Sequence, residues 1–264
     1  MKKPVVLKLG GSVITDKSRE FTPNLTNISR LAKEIYRSGL KSLVLVHGGG
    51  SYGHPLAFKY GFSGEGVEER RVEGVSEIHL AMSRLNNIVT EEMIKAGVKA
   101  VGVHPSSCIV ARSGKIELFE DEPIKGMLRC GLIPILFGDV VFDLERRFTI
   151  ISGDQIVSTL AVKLNSPQII IGTDVDGLYT RDPKLYPDAK LIRFIRLSEL
   201  EEIRESIGES TVTDVTMGMY GKVNELLPAI ERGVTVKVIN ATVPDRLFKA
   251  LKNMEVLGTV IVRG

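Results

Sequence analysis

From end to end the sequence repeats one arrangement: a short apolar run, a glycine-bearing turn, then a stretch whose apolar residues recur at helical spacing. The runs "VVLKL", "SLVLV", "LIPILF" and "QIIIG" do not alternate apolar with polar residues. Strands of that kind are covered on both faces, which is the condition of a parallel sheet joined by helical crossovers. The repeat therefore predicts an α/β fold with a mostly parallel central sheet.

The helical stretches have recognisable limits. Residues 24–39 carry Leu25, Ile28, Leu31 and Ile35 before the stop "SGLK", and residues 74–96 carry Val75, Ile78, Met82, Leu85, Val89 and Met93 before Gly97. "SGDQIVSTLAVKL" and "MYGKVNELLPAIERG" read as two further helices, and Lys222 is expected at the start of the second. "KAVGVHP" is a third strand, "IVARSGKIELF" a hairpin turning at Ser113-Gly114, and "VTVKVIN" and "GTVIV" complete the sheet. The run "LIPILFGDVVFD" is broken at Gly138-Asp139. A soft boundary at Asn165–Pro167 divides one continuous domain into an N-terminal lobe, 1–165, and a C-terminal lobe, 166–264.

The totals exclude several classes. Hydrophobic content of 43% with 25% charge suits a globular chain of 264 residues. The net charge of +3 is interspersed, without the basic block of a nucleic-acid surface. No apolar run reaches the roughly 18 residues of a membrane span, and lysines interrupt the N-terminus, so a cytoplasmic location is expected. Cys108 and Cys130 lack metal-ligand spacing and read as buried free thiols.

Three glycine loops follow strand ends: "KLGGS" at 8–12, "HGGGSYG" at 47–53 and "ISGDQ" at 151–155. Glycines let backbone N–H groups approach an anion, and a following helix N-terminus adds partial positive charge. Gly48, Gly50 and Gly53 formally match a dinucleotide fingerprint, but in the second strand–helix unit. Lys8 interrupts an apolar run, as a lysine snorkelling from an edge strand or as an ammonium aimed at a phosphate. Lys17 and Lys222 are surface lysines or members of the same site. Asp154 is an N-cap or the partner that holds those lysines. Amides and lysines around one phosphoryl group are what phosphoryl transfer needs. "TDVDGLYTRDP" places Asp174, Asp176 and Gly177 in a loop that lacks the other positions of a calcium site and suits a nucleotide better.

"KLGGS", "HGGG", "GD", "SGDQ", "TDVDGLYTRDP" and "GK", in this order and over nearly the whole chain, resemble the amino acid kinase family. The longer strings "KLGGSVITDK", "HGGGSYGHP" and "GTDVDGLYTRDP" are similar to the branch of that family whose acceptor is a prenyl phosphate. The resemblance implies ATP with Mg²⁺, isopentenyl phosphate as acceptor and isopentenyl diphosphate as product. It also implies a place in isoprenoid synthesis by the mevalonate pathway, and a homodimer. The fold it implies is an open αβα sandwich, with the acceptor in the N-terminal lobe and ATP in the C-terminal lobe.

Residue by residue, the resemblance has Lys8, Gly10, Gly11 and Ser12 cradle the transferring phosphate and Lys17 stabilise the transition state. Gly49 and Gly153 would offer amides to the acceptor phosphate, with Gly50 turned towards ATP. Asp154 would orient Lys8 and Lys222, and Asp174, Gly218 and Lys222 would line the nucleotide. Tyr52 stands where the motif usually has Phe, and Met217 where a Gly often precedes Gly218.

His54, at the end of the second loop, is either a helix cap or a donor to an acceptor that already carries a phosphate, beside which its pKa should rise. Val75, Ile78 and Met82 of the long helix and Ile133 and Ile135 of nearby strands either pack in the core or form an apolar pocket for a prenyl tail, with Val75 and Ile78 the two expected to face it. His47 reads as structural, and His79 and His104 have no evident partner. A kinase for another acceptor, such as a phosphonate like fosfomycin or a carboxylate amino acid, is the alternative. A non-catalytic nucleotide sensor is a third reading, which retention of Lys8, Lys17, Asp154 and Lys222 disfavours.

Overall fold

A computed structural model of the chain describes residues 3–62, 68–181, 183, 185–199 and 215–264. In chain order the elements are β1 (Val5–Leu9), α1 (Gly11–Ile14), α2 (Leu25–Ser38), β2 (Leu43–His47), α3 (Gly50–Lys59), α4 (Glu68–Lys95) and β3 (Ala100–Gly102). Then come β4 (Ile109–Arg112), β5 (Lys115–Phe119), α5 (Glu122–Arg129), β6 (Ile133–Phe137), β7 (Asp139–Asp143), β8 (Arg147–Ile151) and α6 (Gly153–Lys163). The last are β9 (Gln168–Thr173), β10 (Phe194–Arg196), α7 (Val215–Glu231), β11 (Thr235–Asn240), α8 (Arg246–Leu251) and β12 (Gly258–Val262).

Eight strands form the main sheet in the order β10-β12-β11-β9-β1-β2-β6-β3. The pairs from β11 through β9, β1, β2 and β6 to β3 are parallel, and only the β11–β12 pairing is antiparallel. The two edge strands, β10 and β3, have three residues each. Each sheet face is covered by helices, as the non-alternating apolar runs require. One core joins Leu7 and Leu9 of β1 to Ile28 of α2, Leu85 of α4 and Leu247 of α8. The other joins Val6 to Ile124 of α5, Ile156 of α6 and Leu226 of α7. The sheet is thus mostly parallel, as the apolar runs predict, and the layers are those of the αβα sandwich that the resemblance implies.

The break at Gly138 moves the chain between sheets. β6 ends in the main sheet, and β7 begins a smaller one ordered β5-β4-β7-β8. Its hairpin turns at Ser113 and Gly114, both at positive φ. The main sheet continues past 165–167, because β9 pairs directly with β1. No described helix is long and apolar enough to cross a membrane.

Local expectations need correction in several places. Leu25 is exposed, because α2 begins there on its solvent side, capped by Asn24 accepting from the Asn27 N–H. Helix α4 extends back to Glu68, past the point where its apolar spacing becomes regular. Helix α7 begins at Val215, so Lys222 lies inside it rather than at its start. Cys130 is exposed; Cys108 is half-buried, and desolvation pushes its thiol up to about 11. β8 and the short β10 had no sequence signal of their own, since each is recognised by its pairing partner.

His47 closes β2 fully buried, with its Nδ1–H donating to the Gly48 carbonyl at 3.1 Å and its Nε2 accepting from Asn86 Nδ2 at 3.2 Å. Burial pushes its pKa down to about 4 from 6.5. The unfolded chain therefore takes up this proton first. The stability contributed by neutral His47 is whole above about pH 6.5 and is lost as pH falls towards 4, amounting to about 3 kcal/mol. Urea midpoints should fall over that window, and a His47→Gln variant should show a shallower fall; equal slopes would exclude His47 as the source.

Candidate active site

Strands β1, β2, β6 and β9 run parallel side by side, so their carboxyl ends open on one edge of the sheet. Ligands of α/β sheets gather there, where crossovers to left and right part company. The loops at this edge are tied to neighbouring strands: the Gly10 N–H donates to Gly172 O at 2.8 Å, Gly48 N–H to Leu9 O at 3.0 Å and Gly138 N–H to His47 O at 3.1 Å.

The first two glycine loops also touch each other. A Cβ on Gly11 would strike the backbone of Gly50, and a Cβ on Gly50, whose φ is +49°, would strike Thr15 Oγ1 and the Gly11 carbonyl. Glycine is required at both places by close approach as well as by conformation. Gly50 opens α3 and Gly153 opens α6, so two helix N-termini face the same space. Their first N–H groups have no acceptor inside the helix, and the helix dipoles add positive character. Gly49 is the residue before α3, packed on Gly53 and Met82 Sδ.

These loops enclose a cleft of about 610 Å³, which Lys8, Lys17, His54, Asp154, Asp174 and Lys222 share. The cleft brings together every proposed polar residue except Gly218, whose surroundings, like those of Met217, lie outside the described residues.

Lys8 belongs to the central strand β1, not to an edge. It points to the face covered by α6, where its ammonium pairs with Asp154. Both side chains are 6% exposed. Asp154 is not the cap of α6; Ser152 is, accepting from the Gln155 N–H. The second oxygen of Asp154, Oδ1, is buried and accepts no bond among the described residues. Lys222 faces the same cleft without an ion pair to Asp154, so direct orientation by that carboxylate extends to Lys8 alone. Burial, then the charge of Lys8, holds the Lys222 ammonium below its usual pKa.

Asp174 gathers the first loop. Ser12 Oγ donates to its Oδ1 at 3.0 Å and Lys17 Nζ to its Oδ2 at 3.1 Å. Burial works to raise this carboxyl, but Lys17 and Ser12 hold it below its usual range. Asp176, by contrast, turns away to Asn240 and Arg246.

His54 lies within α3, one turn from its start, rather than capping a later helix. Its ring is open to the cleft. Desolvation by the cleft walls, then Lys222, Lys8 and Lys17, lower its pKa. The protein alone thus presents a neutral imidazole in a positive field, the opposite direction from that expected beside a phosphate. Tyr52, in the same helix, is buried and meets Phe21 edge-to-face at 5.7 Å.

The cleft also has an apolar floor, which includes Pro55, Ala57, Ile78, Met82 and Ile150. Ile78 is there as expected. Val75 is not among the lining residues and packs half-buried against the core. Ile133 and Ile135 are also core residues, because β6 is covered on both faces. Thr15 is a contributor that sequence reasoning missed: its Oγ1 accepts from the Ser51 N–H at 3.0 Å and donates to Gly11 O at 2.8 Å, joining the two loops. An isolated threonine after "SVI" carries no signal for that role.

The sequence profile of the amino acid kinase family matches residues 3–240. The isopentenyl phosphate kinase of Methanothermobacter thermautotrophicus is 42% identical, over 97% of this chain and 98% of that protein. The isopentenyl phosphate kinase of Methanocaldococcus jannaschii is 36% identical, over 97% of each. An X-ray structure of an isopentenyl phosphate kinase superposes with a TM-score of 0.86 at 38% identity, covering 98% of this chain and 99% of that one.

Proposed function

We propose, from the premise that this chain belongs to the amino acid kinase family, that it transfers the γ-phosphoryl group of ATP to isopentenyl phosphate, giving isopentenyl diphosphate. One observation carries the choice of acceptor: glycine loops and lysines share one cleft with an apolar floor of Ile78, Met82 and Ile150, and His54 lines the same cleft. That is the shape of an acceptor with a phosphate head and a short hydrocarbon tail. A carboxylate amino acid would leave the floor without a partner and its own ammonium group facing lysines.

The acceptor phosphate is already anionic, so its oxygen can attack without a general base. What the protein supplies is position and charge stabilisation. Gly49 and Gly153 would direct N–H groups to the acceptor phosphate, and His54 would donate a ring N–H to one of its oxygens. Arrival of about two negative charges reverses the positive field at His54 and draws a proton onto the ring. Lys8, braced by Asp154, would meet the transferring phosphoryl group with Gly10, Gly11, Ser12 and Gly50. Lys17 would release Asp174 to follow the charge that develops between donor and acceptor. Asp174, Gly218 and Lys222 would line the nucleotide. The glycine cradle and paired lysines fit a polyphosphate. Mg²⁺ would come with ATP on the phosphate oxygens, neutralising part of their charge, with Asp174 as a carboxylate facing the same cleft.

In this reading the N-terminal lobe, 1–165, holds the acceptor and the C-terminal lobe, 166–264, holds ATP. The protein acts as a cytoplasmic homodimer in the mevalonate pathway.

An ATP-coupled assay over small phosphates, phosphonates and amino acids tests the reading. Turnover of isopentenyl phosphate above the others is expected; activity on glutamate or acetylglutamate with none on isopentenyl phosphate would overturn it. Ile78→Ala should deepen the floor and move the ratio of kcat/KM for a ten-carbon over a five-carbon prenyl phosphate upward by about tenfold, the scale of a few methylenes in an apolar pocket. Val75→Ala should leave that ratio within about twofold, since its side chain lies behind the lining.

A further inference from the structure

Asp139 lines the cleft beside Gly138, and His79, outside the lining, bonds to it. Asp139 is the first residue of β7, fully buried, and its backbone neighbour Gly138 closes β6 at the cleft. A carboxylate in that position is costly unless it is bonded on every side. Its Oδ1 accepts from the Val140 N–H at 2.9 Å, and its Oδ2 from the Ser106 N–H at 3.3 Å. His79 Nδ1 completes the set, 3.1 Å from Oδ2 and 3.2 Å from Oδ1. The bond to Asp139 raises the affinity of His79 for its proton, with burial opposing. The other ring nitrogen, Nε2, lies 3.4 Å from both Ser83 Oγ and His104 Nδ1.

His79 sits on α4 immediately after Ile78 and three residues before Met82, two of the side chains that form the floor. Met82 in turn packs its sulfur against Gly49 and Gly53 of the phosphate loop. The His79–Asp139 bond therefore ties the helix that carries the floor to the crossing between β6 and β7, and further along the same helix Asn86 Nδ2 donates to the Ile135 carbonyl of β6. The described residues that line the cleft from β9 and α7, Ile171 to Thr173 and Lys222, take no part in the His79–Asp139 bond.

We propose that His79 and Asp139 are positioning residues that set the height of α4 beneath the acceptor's tail, so that acceptor affinity and tail-length selectivity depend on the pair while ATP binding does not. This rests on the reading of the acceptor given above. His79→Leu keeps most of the bulk and removes the bond. His79→Asn keeps an amide N–H near the place of Nδ1. Asp139→Asn keeps an acceptor oxygen for one backbone N–H but loses the charge.

Steady-state constants are measured for both substrates with wild type and the three variants, each checked for folding by thermal melt. His79→Leu is expected to raise KM for isopentenyl phosphate about tenfold, the effect of losing one charge-assisted bond, with KM for ATP within about twofold. His79→Asn should recover most of the loss, and Asp139→Asn should show the same one-sided effect, so the inference can be judged even if the leucine variant does not fold. Selectivity between five- and ten-carbon prenyl phosphates should relax in parallel. Equal rises in both KM values, or an asparagine variant at His79 no better than leucine, would overturn the inference alone. A wild-type protein inactive on isopentenyl phosphate would overturn it together with the proposed function.

Discussion

Replacing His54 with alanine should lower kcat/KM for isopentenyl phosphate by about a thousandfold, within the range for removing a positioned acid–base or donor group, while the melting temperature stays close to wild type. The two halves of that expectation have separate causes. The ring faces the cleft within α3 and forms no side-chain bond among the described residues, so the fold loses little. The reaction would lose the imidazole proposed to donate to the acceptor phosphate.

The pH profile adds a signed test. Burial and the three lysines lower the His54 pKa in the free protein. The limb of kcat/KM that reports it should therefore lie below the usual histidine value. In kcat it should move upward, because a bound phosphate reverses the field. Near-normal kcat/KM in His54→Ala would remove His54 from the mechanism. A limb at the same pH in both profiles would remove the coupling to bound phosphate.

Asp154→Ala should be the most destabilising single change in the cleft, by about 3–5 kcal/mol, the usual cost of leaving one partner of a buried ion pair alone. Lys8 is held by a central strand with little of its side chain exposed, so without Asp154 its charge is poorly compensated. Turnover should fall with it, since an unbraced ammonium no longer meets the phosphoryl group at a fixed place. The double variant Lys8→Met, Asp154→Leu separates the two effects. Replacing both charges with apolar groups of similar size should recover most of the urea midpoint and none of the activity. Recovery of activity would show that the pair serves the fold and not the reaction; failure of the single variant to shift the midpoint would show that Asp154 is not its stabilising partner.

The layered fold was legible because buried parallel strands announce themselves by uninterrupted apolar runs, and "VVLKL" and "QIIIG" do lie side by side as β1 and β9. The convergence of Lys8, His54 and Asp154 was legible for a related reason: residues at the carboxyl ends of parallel strands share one edge of the sheet, however far apart they are in the chain. What escaped was whatever depends on which side of an element meets which neighbour. Val75 and Ile78 are one turn apart on α4, yet only Ile78 reaches the cleft. The spacing that marks a buried stripe does not say which part of that stripe faces a ligand and which faces the core. His79 and Asp139 had no local pattern either, since their meeting depends on β7 leaving the main sheet at Gly138.

The two three-residue strands that end the main sheet have a consequence for the protein in concentrated solution. An edge strand exposes unpaired N–H and C=O groups, and a long one can recruit a strand from another chain. At β3 and β10 that invitation spans only a few groups, too few to outweigh the entropy of ordering a foreign segment against them. The sheet can carry five consecutive parallel pairings, the geometry on which its ligand edge depends, without offering a template for fibrous growth.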